Sequence, residues 1–212
     1  MSHTRRLTLV LVLNLLLVGG LVTVGLSAHS LGVLAAGGDY LADAAAIGVS
    51  LLAIWLARRP GGHPRATTIA AGVNAGWLLA LSLLVVASSI HRLAAGTHEV
   101  QGLPVLIMSG VAAIVMVGGV FLLDDDDDRP DGVGRGHELN LRAVLLDTAT
   151  DAAAAAGVAV SGAVILATGG TYWLDPAVAL VIAVVVGHHA LRLLRDIRVA
   201  WRSDPAPARL VD

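Results

Sequence analysis

Residues 37–60 read GGDYLADAAAIGVSLLAIWLARRP. From Tyr40 to Leu56 almost every residue would dissolve in lipid, yet Asp39 and Asp43 stand four apart at the head of the run. Positions i and i+4 of an α-helix lie on one face, about one turn apart. A charged Asp at the centre of a bilayer costs roughly 2.5–3.5 kcal/mol on insertion scales. A helix that carries two on one face needs a partner that offsets the cost.

The whole chain has the composition of a membrane protein. Its 212 residues are 56% hydrophobic and 14% charged, against about 25% charged in soluble domains, and the mean hydropathy is +0.79. It contains no cysteine, which excludes disulfides and thiolate metal sites. A spanning helix needs about 20 mainly apolar residues. Six such segments are expected, near 7–28, 31–57, 67–90, 103–123, 142–167 and 174–194, separated by short joints with turn signals such as PGGHP at 60–64 and Gly169-Gly170. The fold class is therefore an all-α membrane protein of six transmembrane helices. Residues 1–194 form the transmembrane domain and 195–212 a short cytoplasmic tail. Arg5 and Arg6 precede Leu7–Ala28, but the length of that segment and the five spans behind it identify a first transmembrane helix rather than a signal peptide.

Every basic residue is arginine, and arginine sets the orientation. The groups at 5–6, 58–65, 129–142 and 192–209 all fall on one side, and Arg92 alone falls on the other. The arginine-rich side is expected to be cytoplasmic, with both termini inside. A multi-pass protein of a bacterial-type plasma (inner) membrane follows, with lipid as a partner and no nucleic acid.

A second pair of aspartates answers the first. The segment NLRAVLLDTATDAAAAAGVAV at 140–160 places Asp147 and Asp151 four apart in the fifth span. DYLADAAA at 39–46 and DTATDAAA at 147–154 share the spacing and the alanines, which allow close helix approach. The two motifs lie on antiparallel helices, as an inverted three-plus-three repeat would place them, with a binding site near the midplane. No arginine within the spans stands near these carboxylates to pair with them, which leaves protons and cations as partners. Four oxygen-bearing groups from two helices could hold a divalent ion, and emptied carboxylates could take up protons instead. A lone aspartate could simply hydrogen-bond a neighbouring helix; two DxxxD pairs are harder to explain that way.

These residues resemble the cation diffusion facilitator, or cation efflux, family over almost the whole chain. The likeness is carried by NLLLVGGLVTVGLSAHSLGVLAAGGDYLAD at 14–43, RATTIAAGVNAGWLL at 65–79, QGLPVLIMSGVAAI at 101–114, NLRAVLLDTATD at 140–151 and DPAVALVIAVVV at 175–186. The resemblance implies six helices, export of divalent metal from the cytosol in exchange for protons, and a homodimer. It also implies a metal site made of Asp39, Asp43, Asp147 and Asp151. No catalytic residues and no resident cofactor are expected; zinc, manganese or iron and protons are substrates. Zinc-transporting members typically have histidine where this chain has Asp147, and an all-oxygen set suits harder ions such as Mn²⁺ or Fe²⁺, although zinc also binds carboxylates. The family usually appends a cytoplasmic domain after the sixth helix, whereas here RDIRVAWRSDPAPARLVD at 195–212 follows, so a variant without that domain is expected.

Other features have plainer readings. The run DDDDDRPD at 124–131 reads as a solvated acidic loop, or as a funnel that concentrates cations near the entrance. His188 and His189 read as interfacial or packing residues, and His29, His91 and His98 as loop residues of the outer side. Asn14, Ser50 and Asn74 read as helix-packing polar groups, and Trp55, Tyr172 and Trp173 as interface anchors. Alternatives to metal/proton antiport are transport of a monovalent or organic cation through the same carboxylates, or a membrane subunit that transports nothing. An intramembrane aspartyl protease would need GxGD, where 36–39 read AGGD, and aromatics at 3% provide few walls for an organic cation.

Overall fold

A computed structural model describes residues 3–57, 66–96, 98–124 and 135–203, and it is entirely helical over these residues. The helices are α1 (His3–Ser27), α2 (Leu31–Ala57), α3 (Ala66–Ala95), α4 (Gly102–Asp124), α5 (Arg135–Thr168) and α6 (Leu174–Ser203). Each has at least the 23 residues of α4; at about 1.5 Å per residue that reaches past a hydrocarbon core of about 30 Å. Among the described residues, Ala71–Ala95, Ala149–Thr168 and Leu174–Val199 are long and apolar enough to cross a bilayer, and Asn14–Ser27, Leu31–Ala42 and Gly102–Gly118 are shorter apolar segments. Large apolar side chains such as Leu16, Val73, Ile114 and Val181 stand more than half exposed on the outside of the bundle. A water-soluble monomer seldom shows so much apolar surface. This is a multi-pass integral membrane protein.

The helix ends differ from the sequence expectation in an informative way. α2 begins and ends where the apolar run does, but α5 starts at Arg135 instead of 142, α6 runs on to Ser203 instead of 194, and α3 reaches Ala95 instead of 90. A hydropathy criterion sees only the part of a helix that lipid covers. The segments RGHELNL at 135–141 and RDIRVAWRS at 195–203 are polar or amphipathic, yet hydrogen-bonded helix continues through them. Arg92, expected in a loop, lies in the last turn of α3.

The helices pair as neighbours in a pattern that separates two groups. α1, α2, α5 and α4 close a ring of contacts, α1 on α2, α2 on α5, α5 on α4 and α4 on α1. α3 and α6 pack extensively on one another and join the ring through α2 and α5. Glycine permits the closest crossing. A Cβ on Gly102 would stand 2.6 Å from the carbonyl oxygen of Gly162, and a Cβ on Gly162 would stand 2.7 Å from the backbone nitrogen of Leu106. The α4–α5 backbones therefore touch where no larger residue fits, as small residues allow between membrane helices. Between α3 and α6 the Ser82 hydroxyl donates to the Ala183 carbonyl.

The three short connections gather at one end. The Gln101 N–H, ahead of α4, donates to the Ala28 carbonyl in the α1–α2 turn at 3.2 Å. Arg92 of α3 donates from Nη1 to the His29 carbonyl at 2.6 Å. His29 has φ 58°, the left-handed conformation that non-glycine residues adopt sparingly, and the guanidinium holds its carbonyl in that turn. Gly96 and Gly169, with φ 98° and 64°, end α3 and α5 at the positions where glycine suits a helix C-terminus.

Candidate metal-binding site

The DxxxD motif of α2 begins two and a half turns from that end. Tyr40 follows Asp39 and is almost wholly buried. Its hydroxyl donates to the backbone carbonyl of Asp151 at 3.5 Å, a long contact by which a residue inside the first motif reaches the second. Asp39 and Asp151 are both half-buried. Both line one cleft of about 480 Å³, with Thr150, Ala154 and Gly157 of α5 and Val178, Ile182 and Val186 of α6. Asp39 also borders a smaller pocket of about 40 Å³ between α2, α3 and α6, where Ser82 contributes a hydroxyl. Small residues on α5 make room for the cleft, and branched aliphatic residues on α6 close its far wall.

Of the four sequence-predicted ligands, Asp39 and Asp151 thus meet at one cavity. Asp43 and Asp147 sit on α2 and α5 one turn from their partners, and their side chains lie outside the described residues. Among the described residues no group of three potential metal-ligating side chains is assembled. Most of the acidic run, residues 125–131, lies outside the described residues, as do the side chains of Ser50 and Trp55. His188 and His189 are exposed toward the arginine-rich end of α6, with ring centroids 6.3 Å apart. Asn74 is half-buried, and the Asn14 Oδ1 atom is buried with no hydrogen-bond partner among the described residues. His29 and His98 are exposed in connections as expected, whereas His91, expected in a loop, is exposed near the end of α3; Trp173 is exposed beside the α5–α6 turn.

The residue that sequence reasoning passed over is Asp175. An acidic residue in the first turn of a helix ordinarily complements that helix's own dipole. Here the carboxylate of α6 serves α2 instead. Asp175 is completely buried; its Oδ2 accepts from the Leu31 N–H at 2.7 Å, and its Oδ1 accepts from the Ser30 hydroxyl at 2.5 Å and the Gly32 N–H at 3.2 Å. Ser30 in turn caps α2, its Oγ accepting from the Val33 N–H at 3.1 Å. Three of the four N–H groups that a helix start leaves unpaired are thereby satisfied. The signal in the sequence was Ser30 directly before an apolar run; which distant carboxylate would complete the cap was not legible there.

The family model for the cation efflux transmembrane domain matches residues 7–199. The chain belongs to that family. Zinc transporter ZitB of Yersinia pseudotuberculosis is 29% identical over 201 residues, covering 92% of this chain and 62% of that protein. Proton-coupled zinc antiporter SLC30A2 of Homo sapiens is 28% identical over 202 residues, covering 91% of this chain and 54% of the relative. A cadmium, cobalt and zinc/H(+)-K(+) antiporter of Bacillus velezensis is 25% identical, with 92% and 60% covered. This cation efflux chain spans between 54% and 62% of the length of these relatives.

Proposed function

We propose that this cation efflux protein exports divalent metal ions from the cytosol by exchange for protons, and that Asp39, Asp43, Asp147 and Asp151 bind the ion. The observation that carries this reading is the shared cleft: Asp39 of α2 and Asp151 of α5, 112 residues apart in sequence, line one cavity within the bundle. Carboxylates in a low-dielectric site attract a divalent ion strongly and take protons when it leaves, so loading with metal and loading with protons compete. That competition is the elementary step of an antiporter.

The relatives' names favour zinc as cargo, and the oxygen-only donor set also accommodates Mn²⁺ and Fe²⁺. Arginine distribution supports cytoplasmic termini, and residues 1–194 act as the transporting unit in an inner membrane of bacterial type, as a homodimer. A second reading has one observation in its favour. A cleft of about 480 Å³ falls within the range of small-molecule pockets, about 300–1,000 Å³, so an organic cation would fit where a bare ion leaves space for water. Purified protein in proteoliposomes decides between them. Zn²⁺, Mn²⁺, Fe²⁺, Co²⁺ and Cd²⁺ are offered singly against an imposed pH gradient, with tetraethylammonium as the organic probe. Metal uptake that collapses with the gradient supports the proposal; uptake of tetraethylammonium with no metal uptake refutes it.

A further inference from the structure

Asp175 is more than a cap, because of what shares its face of α6. Counting along the helix, Asp175, Ala179, Ile182 and Val186 fall at spacings of four, three and four, the stripe that one side of an α-helix presents to a neighbour. Ala179 and Ile182 are buried, and Ile182 and Val186 line both cavities that Asp39 borders. On α2, Leu31 and Gly32 receive the carboxylate, Ala35 lines the small pocket one turn further on, and Asp39 follows another turn beyond. The α2–α6 seam is therefore polar and fully hydrogen-bonded at its outer end and opens into the two cavities deeper in the bundle.

The outer end is knitted to more than α2. Ser30 follows His29, whose carbonyl Arg92 of α3 holds. Gly32 leaves room for the contact, since a Cβ there would stand 3.1 Å from Asp175 Oδ1. α2 and α6 thus meet at one carboxylate between the cavities and the arginine-poor face, and α3 is tied to the turn beside it through Arg92 and His29.

We propose that Asp175 is a positioning residue for transport: it clasps α6 to the first turn of α2 and closes the α2–α6 seam between the Asp39 cavities and the outer face. Release of cargo to that side then requires the clasp to yield, and its strength sets how often the seam opens. The clasp rests on the proposed transport for its consequence but not for its existence, and the test separates the two.

Among the described residues, the hydrogen-bond partners of the carboxylate all donate to it. Asp175→Asn keeps the size but turns an NH₂ towards backbone N–H groups, so one set of donors loses its acceptor. Ser30→Ala removes a single donor and serves as the milder variant. The chain has no cysteine, so Ala35→Cys, at a buried position between clasp and Asp39, is a unique reporter. Full-length protein is reconstituted without metal, and a membrane-impermeant maleimide is applied from each face in turn. In the Asp175→Asn background the reporter is expected to react from the arginine-poor face at least about fivefold faster, the lower end of typical two-state couplings. Ser30→Ala is expected to fall between this and the parent. Zn²⁺ affinity measured in detergent stays within about twofold, because the Asp39 cavity itself is untouched. Unchanged labelling in folded variants overturns the clasp, as does faster labelling from the arginine-rich face alone. If neither variant folds, the cluster serves the fold only and the proposal is likewise overturned. Because labelling is read without metal, an error about the cargo leaves this result standing.

Discussion

Asp39 on α2 and Asp151 on α5 line the same cleft, and the Tyr40 hydroxyl reaches from one motif to the backbone of the other. This relationship joins α2 and α5 at one cavity although α2 packs against α1, α3 and α6 more extensively than against α5. A ligand set divided between two helices depends on both sides at once. Asp39→Asn and Asp151→Asn are each expected to lower metal transport by more than about 100-fold, since losing only an outer-shell partner commonly costs about 10–100-fold. Insertion and the helical circular dichroism spectrum stay as in the parent. Transport at parental rate in either variant, measured in proteoliposomes, removes that residue from the site.

Exchange of metal for protons predicts a pH dependence with a definite sign. Metal must displace protons from the carboxylates, so affinity falls as pH falls and binding releases protons. Calorimetry in buffers of different ionisation enthalpy should therefore give a heat that varies with the buffer. A buffer-independent heat, with affinity flat between about pH 5 and 8, contradicts antiport by these groups.

The closest backbone approach yields a stability prediction. A Cβ on Gly162 would meet the Leu106 nitrogen at 2.7 Å and the Gly102 carbonyl oxygen at 3.0 Å, and backbone cannot swing aside as a flexible side chain can. Gly162→Ala is expected to cost about 1–3 kcal/mol, as overpacking of a tight core does. Gly110, on the same helix as Gly102 but with nothing near its Cβ position, is the control. Thermal unfolding in detergent should distinguish the two substitutions.

Much of this was legible in the sequence, for identifiable reasons. The ends of α2 matched because Ser30 is a helix cap and an apolar run follows it directly. The pairing of α2 with α5 could be anticipated because carboxylates at i and i+4 inside an apolar span demand partners, and the only comparable set within the expected spans was at 147 and 151. Where helix and lipid boundaries part company, as at Arg135 and Ser203, hydropathy could not see the end. Asp175 was hidden for a different reason. Its donors lie some 145 residues away, and only the packing of α6 on α2 brings them together.

The acidic run at 124–128 should tune transport without being required for it. Long-range attraction of a divalent ion by five carboxylates is strong at low ionic strength and is screened beyond about 8 Å at 0.15 M salt. Asparagine at all five positions is expected to raise the apparent KM several-fold in dilute buffer and hardly at all in physiological salt. Loss of the maximal rate at saturating metal would instead give the run a structural or gating role.

In the proposed site the choice of metal is expected to turn on position 147. With aspartate there, the proposed donor set is all oxygen and carries four potential negative charges, which hard ions such as Mn²⁺ accept well. Histidine in its place supplies one softer nitrogen and removes one charge. Imidazole is among the preferred ligands of zinc, and a smaller charge weakens binding of the harder ion most. Both effects act in the same direction, so Asp147→His is expected to raise the Zn²⁺/Mn²⁺ transport ratio by about tenfold, equivalent to about 1.4 kcal/mol of discrimination. The ratio is measured with both metals competing in one vesicle preparation, which cancels differences in protein amount and orientation. An active variant with an unchanged ratio would mean that residue 147 does not touch the ion. The site would then have to be rebuilt around Asp39, Asp151 and a donor from α6 or solvent.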